Sequence, residues 1–545
     1  MKNRIKQYLL AASMCVGLTA CSDFFEPIPG VQFGLDETFA SKQRTEEYLN
    51  NVYSYVREVT DAIHPNTYGG IFTEASLDGA NRWNKTYAEW TNGSFNSASA
   101  QASEYFSKYY QAIAKASTFI QNVDKCTEAA ASTRGKWKSE ARALRAYYYF
   151  ELLRLYGPIP LIGEDPIPLD ASLEELIKER NSVDECVNFI ATELQSAIDS
   201  GDLLQRAGKA NLGRMDVATC MALKAKLYLY WASPLFNGNT DQASVKNKDG
   251  KQLFPQTEDH SKWTQTRDAY ERFMTFATGQ GYKLTEVYTN GKLDPYASCR
   301  AAGEFFTTTW EAVDELIFVK LRDLYDYTYW VCPKFTDFQD TDVTGGGGYY
   351  TTQETVDLFF TKDGLTIEED PGYDKFEGIP GANNFTSGRY YDPNNPSRLY
   401  FDADKSKVLK QWKDREPRFY VNITYSGSIW LNEGKYNEEM RTDFTNGANG
   451  TCGKSKASGD CPDSGYLIRR GAKASNNNGS KHFSPVLRLA DMYLGYAEAL
   501  CMCSDLDNAL TYLNKIRVRA GIPEYTFTAT AGKITCPKTQ TDLLN

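Results

Sequence analysis

Apolar residues recur along this chain at intervals of three and four, the spacing that puts side chains on one face of an α-helix. Residues 104–123 (EYFSKYYQAIAKASTFIQNV) set Tyr109, Ala112, Ile113, Ala116 and Ile120 on such a face. The pattern is stronger from Lys138 to Tyr156, through Ala141, Leu144, Tyr148, Leu152 and Leu155. Gly157 and Pro158 predict where that helix stops, because glycine suits a C-terminal cap and proline cannot continue a helix. Helical spacing begins near Gln43 and returns over Val183–Ser200 and Met215–Trp231. At Pro485–Cys503 it aligns Leu487, Ala490, Leu494, Ala497 and Cys501, and Asn508–Ala520 follows with Leu510, Leu513 and Ile516 before Gly521 and Pro523. Paired helices rich in Ala and Tyr predict stacked antiparallel hairpins of the tetratricopeptide type. An irregular helical domain is the alternative, since no strict repeat signature is present.

Between Asn237 and Ser484 the pattern breaks. Gly, Asn, Asp and Tyr dominate, with a tetraglycine at Gly345–Gly348, which reads as a flexible loop, and NNNGS at 476–480. Short β-like runs occur at Leu316–Val319 and Phe419–Ile423. The predicted fold is mostly α, a tetratricopeptide-like helical hairpin core with an irregular, loop-rich lobe containing short strands. The helical core is expected at 41–236, the ligand-binding lobe at 237–484, and a C-terminal hairpin packing on the core at 485–545.

The first residues read as a targeting segment. Lys2, Arg4 and Lys6 precede an apolar stretch, Tyr8 to Leu18, too short to cross a bilayer, which needs about 20 apolar residues. It ends in Leu18-Thr19-Ala20-Cys21, the form of a lipoprotein signal in which the cysteine is lipidated and cleavage precedes it. This predicts a signal peptide over 1–20, lipidation at Cys21 and an anchored, extended tether over 21–40. Several acyl chains, at about 0.8 kcal/mol per buried methylene, hold durably where one holds only marginally.

Net charge is −10 with no basic cluster, which argues against nucleic acid as a partner. There are 36 Tyr against 3 His, and the histidines (His64, His260, His482) stand apart, without metal-ligand spacing. No metal and no cofactor is therefore expected. The chain lacks a G-x-S-x-G elbow, a phosphate-binding glycine loop and a dinucleotide fingerprint. Asn247–Gly250 resembles the start of a calcium loop but lacks its later ligands. In an exported protein Cys452 and Cys461, close together in one polar loop, are the candidate disulfide.

Two aromatic groups lie in polar, irregular sequence. Arg82, Trp83, Asn84 and Trp90 fall in NRWNKTYAEWTNGSFN. Tyr325, Tyr327, Tyr329 and Trp330 precede the tetraglycine, and Tyr349 and Tyr350 follow it. Alternation at 325, 327 and 329 predicts three rings on one face of an extended strand. Trp and Tyr offer an apolar plate to the C–H face of a sugar, while Arg and Asn donate to hydroxyls or carboxylates. Two roles fit the rings, a stacking platform or anchors in the core. Arg82, Trp83, Asn84, Trp90, Tyr327, Tyr329, Trp330 and Tyr349 are the candidate ligand-binding residues, and none is a candidate catalytic residue.

Seven segments in order give the chain a family resemblance. They are the Cys21 signal, EARALRAYYYFELLRLYGPIPLI (140–162), ALKAKLYLYWASPLFN (222–237), TQETVDLFFTKDG (352–364), REPRFYVNI (415–423), GYLIRR (465–470) and LRLADMYLGYAEAL with LNKIRVRAGIP. In these the chain resembles the SusD/RagB outer-membrane lipoproteins of the Bacteroidetes type. The resemblance implies four tetratricopeptide-like hairpins wrapped by a less regular lobe. It also implies a non-enzymatic, lipid-anchored protein facing the cell exterior, which binds a nutrient glycan and passes it to a TonB-dependent (SusC-like) transporter. A peptide- or protein-binding surface lipoprotein is the second reading and a cryptic glycan hydrolase the third. Relatives continue past the Arg-Ala-Gly-Ile-Pro segment into a further helical stretch, so a truncated chain is expected here.

Overall fold

The structure is a computed structural model that describes residues 34–57, 76, 79–81, 89, 93–163, 171–303, 314–323, 329–335, 345–376, 378, 380–431, 440–445, 452, 460–472 and 481–545. The signal segment and Cys21 lie outside the described residues. The helices used below are α1 (Leu35–Ala40), α2 (Lys42–Ser54), α3 (Ala100–Asn122), α4 (Ala131–Tyr156), α5 (Val183–Asp199), α6 (Val217–Ala232), α7 (Ser261–Gly279), α8 (Pro295–Gly303), α9 (Gln353–Asp357), α10 (Pro417–Asn422), α11 (Leu489–Met502) and α12 (Leu506–Ala520).

Local chemistry explains most helix ends. Ser182 and Glu185 form a reciprocal capping box at the start of α5, and Asp216 accepts the Thr219 N–H at 2.7 Å to open α6. Gly157 closes α4 at φ 68°, its N–H donating to Leu153 O at 3.0 Å. Helices α3 to α7 and then α11 and α12 pack each on the next in one continuous stack, with α2 against α3 and α4. That is the hairpin architecture expected.

The interior of the stack is aromatic. Tyr147, Tyr148 and Tyr149 are all buried, and Tyr148 donates to Val52 O of α2 at 2.5 Å. Arg145, fully buried in α4, donates to Glu193 of α5 at 2.8 Å and to Ser117 Oγ of α3 at 3.0 Å. One paired charge thus ties three helices. Such a pair adds little net stability, but breaking it would strand a buried charge.

Four expectations are corrected. First, the helical layer does not stop at residue 236: α7 packs between α6 and α11, burying Trp263, Thr266, Tyr270, Phe273 and Ala277. Second, Leu35–Ala40 is helix rather than tether, and Phe39 is buried edge-on to Phe119 at 5.7 Å. Third, 419–423 is mostly helical, because Pro417 at the first turn of α10 presets helical φ. Fourth, Leu494 is 45% exposed on α11, whereas Leu487, Ala490 and Cys501 are buried.

The strands used below are β1 (Ala80–Asn81), β2 (Leu316–Asp323), β3 (Tyr349–Tyr350), β4 (Arg389–Asp392), β5 (Asn395–Asp402), β6 (Ile423–Thr424), β7 (Leu467–Ile468) and β8 (Lys481–Arg488). β2 and β8 form an antiparallel ribbon that lays Phe318 edge-on to Tyr147 at 5.9 Å, and β8 runs directly into α11. β4 and β5 form a hairpin, and β1-β3-β7-β6 form an antiparallel sheet. Helix α8 packs on both α10 and α12, joining the irregular lobe to the last helices. Among the described residues no helix is long and apolar enough to cross a membrane.

Candidate functional site

The four-stranded sheet gathers segments far apart in sequence. Asn81 lies opposite Tyr349 and Ala80 opposite Tyr350, while Tyr350 also pairs with Leu467. Asn81 immediately precedes Arg82 and Trp83 in the chain. Arg82, Trp83, Asn84, Trp90 and Tyr327 themselves lie outside the described residues.

Tyr329 to Val331 form one helical turn, so Tyr329 is not on the expected extended strand, while Tyr325, like Tyr327, lies outside the described residues. The tetraglycine accounts for the turn. Gly345 N–H donates to Pro333 O at 3.0 Å, Gly346 to Tyr329 O at 2.7 Å, Gly347 to Cys332 O at 3.0 Å and Gly348 to Trp330 O at 3.2 Å. Carbonyls that a short turn leaves without helical partners are satisfied in this way. All four glycines are buried, so the run is a packed seat, not the flexible loop expected. A Cβ at Gly346 would overlap the Trp330 ring, which explains why the position carries no side chain.

Trp330 is half-buried, with the half-buried Tyr329 ring edge-on to it at 4.8 Å. Beneath them is a small second core that includes Val331, Phe335, Tyr349, Trp430, Met440 and Cys452. Tyr349, at 3% exposure, is a core side chain, which corrects its assignment to a ligand surface. Successive residues of a strand point to opposite faces, so the half-buried Tyr350 takes the outward role. Trp430 and Arg469 were not singled out from the sequence. The Arg469 guanidinium lies over Trp430 at 5.6 Å and donates to Ile429 O at 2.7 Å, and burial pushes its pKa down. The only signal for them was an aromatic and an arginine in polar stretches, too common a pattern to choose them.

Cys452 and Cys461 are both buried. Cys452 packs in the same small core as Cys332, whose thiol burial pushes well up. Among the described residues no cluster of His, Cys, Asp or Glu is placed to hold a metal ion.

A groove of about 610 Å³ opens between α11 and the lobe. Tyr349, Thr351 and Ile468 form part of one wall, Leu494 and Ile516 part of another, with Arg418, Arg470, Arg488 and Arg519 around them. This groove is why Leu494 is exposed: the lobe does not close over that side of α11. Glu315 lies buried behind it, bonded to Arg519 at 2.8 and 2.9 Å.

Two family models match the chain. The SusD family model matches residues 315–545, and a model described as starch-binding, associating with outer membrane, matches 32–229. Together they take in well over half of the chain. A SusD-like protein of Bacteroides ovatus is 27% identical over 175 residues, which are 31% of this chain and 30% of that relative. Among solved structures, one named BT4246 has a TM-score of 0.73 at 24% identity, over 92% of this chain and 85% of its own. A SusD-like carbohydrate-binding protein from Bacteroides fragilis has a TM-score of 0.60 at 18% identity, over 91% and 81%. At these identities the likenesses establish the fold.

Proposed function

Because this chain belongs to the SusD/RagB family of outer-membrane-associated surface glycan-binding proteins, we propose that it captures a nutrient glycan at the sheet edge around Trp330 and hands it to a TonB-dependent transporter. Glycan binders of the family are non-catalytic, so its work is recognition. In this reading a lipid on Cys21 holds the protein at the cell exterior. Trp83 and Trp330 present flat faces to sugar rings, and Arg82, Asn84, Trp90, Tyr327, Tyr329 and Tyr350 complete the surface.

The observation that carries the reading is the pairing of Asn81 with Tyr349. It sets the residue that precedes Arg82 in the chain opposite the strand that follows the Trp330 seat. The carbohydrate-binding relative of the same fold supports the ligand class.

Such a surface binds weakly, since each stacked ring or exposed hydrogen bond contributes only about 1 kcal/mol and ordering opposes it. Removing one ring should therefore lower affinity roughly tenfold, about 1.4 kcal/mol. Titrating wild type, Trp83→Ala and Trp330→Ala with a glycan panel checks this, with thermal melts alongside. Unchanged affinity in both variants would move the site elsewhere, and a panel with no binder at all would favour a peptide ligand.

A further inference from the structure

A second cavity lies in the irregular lobe, apart from the sheet edge and from the arginine-rich groove. It measures about 560 Å³, within the range of roughly 300–1,000 Å³ usual for small-molecule sites. Its walls come from α9, the segment around Tyr373, Leu409–Trp412 and the turn at Ser464–Tyr466.

The lining is oriented by a relay of hydrogen bonds. Trp412 Nε1 donates to Tyr466 OH at 3.0 Å, Tyr466 OH donates to Gln353 Oε1 at 2.7 Å, and Gln353 Nε2 donates to Asp357 Oδ1 at 2.8 Å. Across the cavity Tyr373 OH donates to Gln411 O at 2.9 Å while accepting from Arg415 at 2.8 Å. The aromatic side chains are thus held by their polar ends. Trp412 and Tyr466 are set edge-on at 5.9 Å. Asp357 keeps its second oxygen, Oδ2, with no donor among the described residues.

We infer that this cavity is a second binding site, which takes a single neutral pyranose unit. Trp412 and Tyr466, at 7% and 4% exposure, are buried behind the wall, so the half-buried rings of Tyr373 and Phe376 are the ones that offer an apolar face to a sugar, and the held carboxylate accepts from adjacent hydroxyls. Asp357 and the exposed Lys375 both line the cavity, so the charges offset and a neutral sugar is the fit. Fixing the polar groups before binding reduces the ordering cost that weakens sugar recognition. Only the ligand class rests on the reading of the protein as a glycan binder; the cavity and its relay stand without it.

The test uses the full chain with Trp83→Ala and Trp330→Ala, so the sheet edge is already disabled. Crystals of this variant are soaked in D-glucose, D-galactose or D-mannose. A pyranose ring in the cavity, hydrogen-bonded to Asp357 and lost on adding the near-isosteric Asp357→Asn, is the expected result. A cavity empty with all three sugars overturns the inference, as does one that fills equally in Asp357→Asn. Filling by a cationic amine such as Tris, and by no sugar, overturns the ligand class. Wild-type binding to the glycan panel is read separately, so failure of the sheet-edge site cannot be mistaken for failure of this one.

Discussion

A methyl group added at Gly346 would meet the rings of Trp330 and Tyr329. Gly346→Ala should displace Trp330 without removing any aromatic. We expect it to lower glycan affinity about as much as Trp330→Ala does, and to destabilise by about 1–3 kcal/mol as overpacking usually does. Calorimetric titration beside a thermal melt checks both, and an unaltered Kd would mean that the ring needs no fixed seat. Glu315 sets a second expectation, in pH. Burial alone would raise its pKa, but Arg519 and Arg488 outweigh burial and hold it below the ordinary 4.5. A carboxylate with a depressed folded pKa stabilises fully above its unfolded pKa, and that stabilisation is lost as pH falls through the folded value. Glu315→Gln should therefore melt lower at neutral pH and lose less of its stability below about pH 4.5 than wild type does. Parallel acid-titration melting curves for the two proteins would expose the idea as wrong.

Helices α4 and α11 show what periodicity can and cannot tell. Leu144 and Leu494 occupy equivalent positions in two apolar rows, yet Leu144 is fully buried and Leu494 is 45% exposed. Spacing identifies a face; it does not say whether a neighbour covers it. Leu144→Asp should cost several kcal/mol, a large part of a typical stability of roughly 5–15 kcal/mol. Leu494→Asp should stay within about 1 kcal/mol of wild type. Equal losses of Tm in the two variants would show that the groove beside α11 is closed in solution. The stack was legible because its caps and periods agree, as at Gly157 and Ser182. Helix α7 was equally periodic but hidden by the polar composition around it, and α10 was masked by β-branched and aromatic residues that tertiary packing overrode. The seat of Trp330 was illegible for another reason. Its hydrogen bonds join residues 329–333 to 345–348, and no local pattern announces that a glycine run is packed rather than loose. The sheet that brings Asn81 to Tyr349 is equally non-local.

For the molecule as a whole, the proposed anchor is the simplest expectation to check. Cys21→Ala should abolish incorporation of radiolabelled palmitate and release the protein from the membrane fraction. A variant that is still labelled would refute lipidation at that residue. Larger behaviour follows from the ribbon of β2 and β8. A bare row of helical hairpins approximates a one-dimensional array, in which each unit holds only its neighbours and the ends can fray. Here the strand leading into α11 is clamped to β2, whose Phe318 lies on Tyr147 of α4. Peeling away α11 and α12 would draw β8 off β2 and wet an aromatic contact in the middle of the row. The last hairpin is therefore coupled to the middle of the row, and we expect it to unfold with the stack rather than as an independent foldon. The same clamp bears on synthesis: β2 has no ribbon partner until residues beyond 480 have been made.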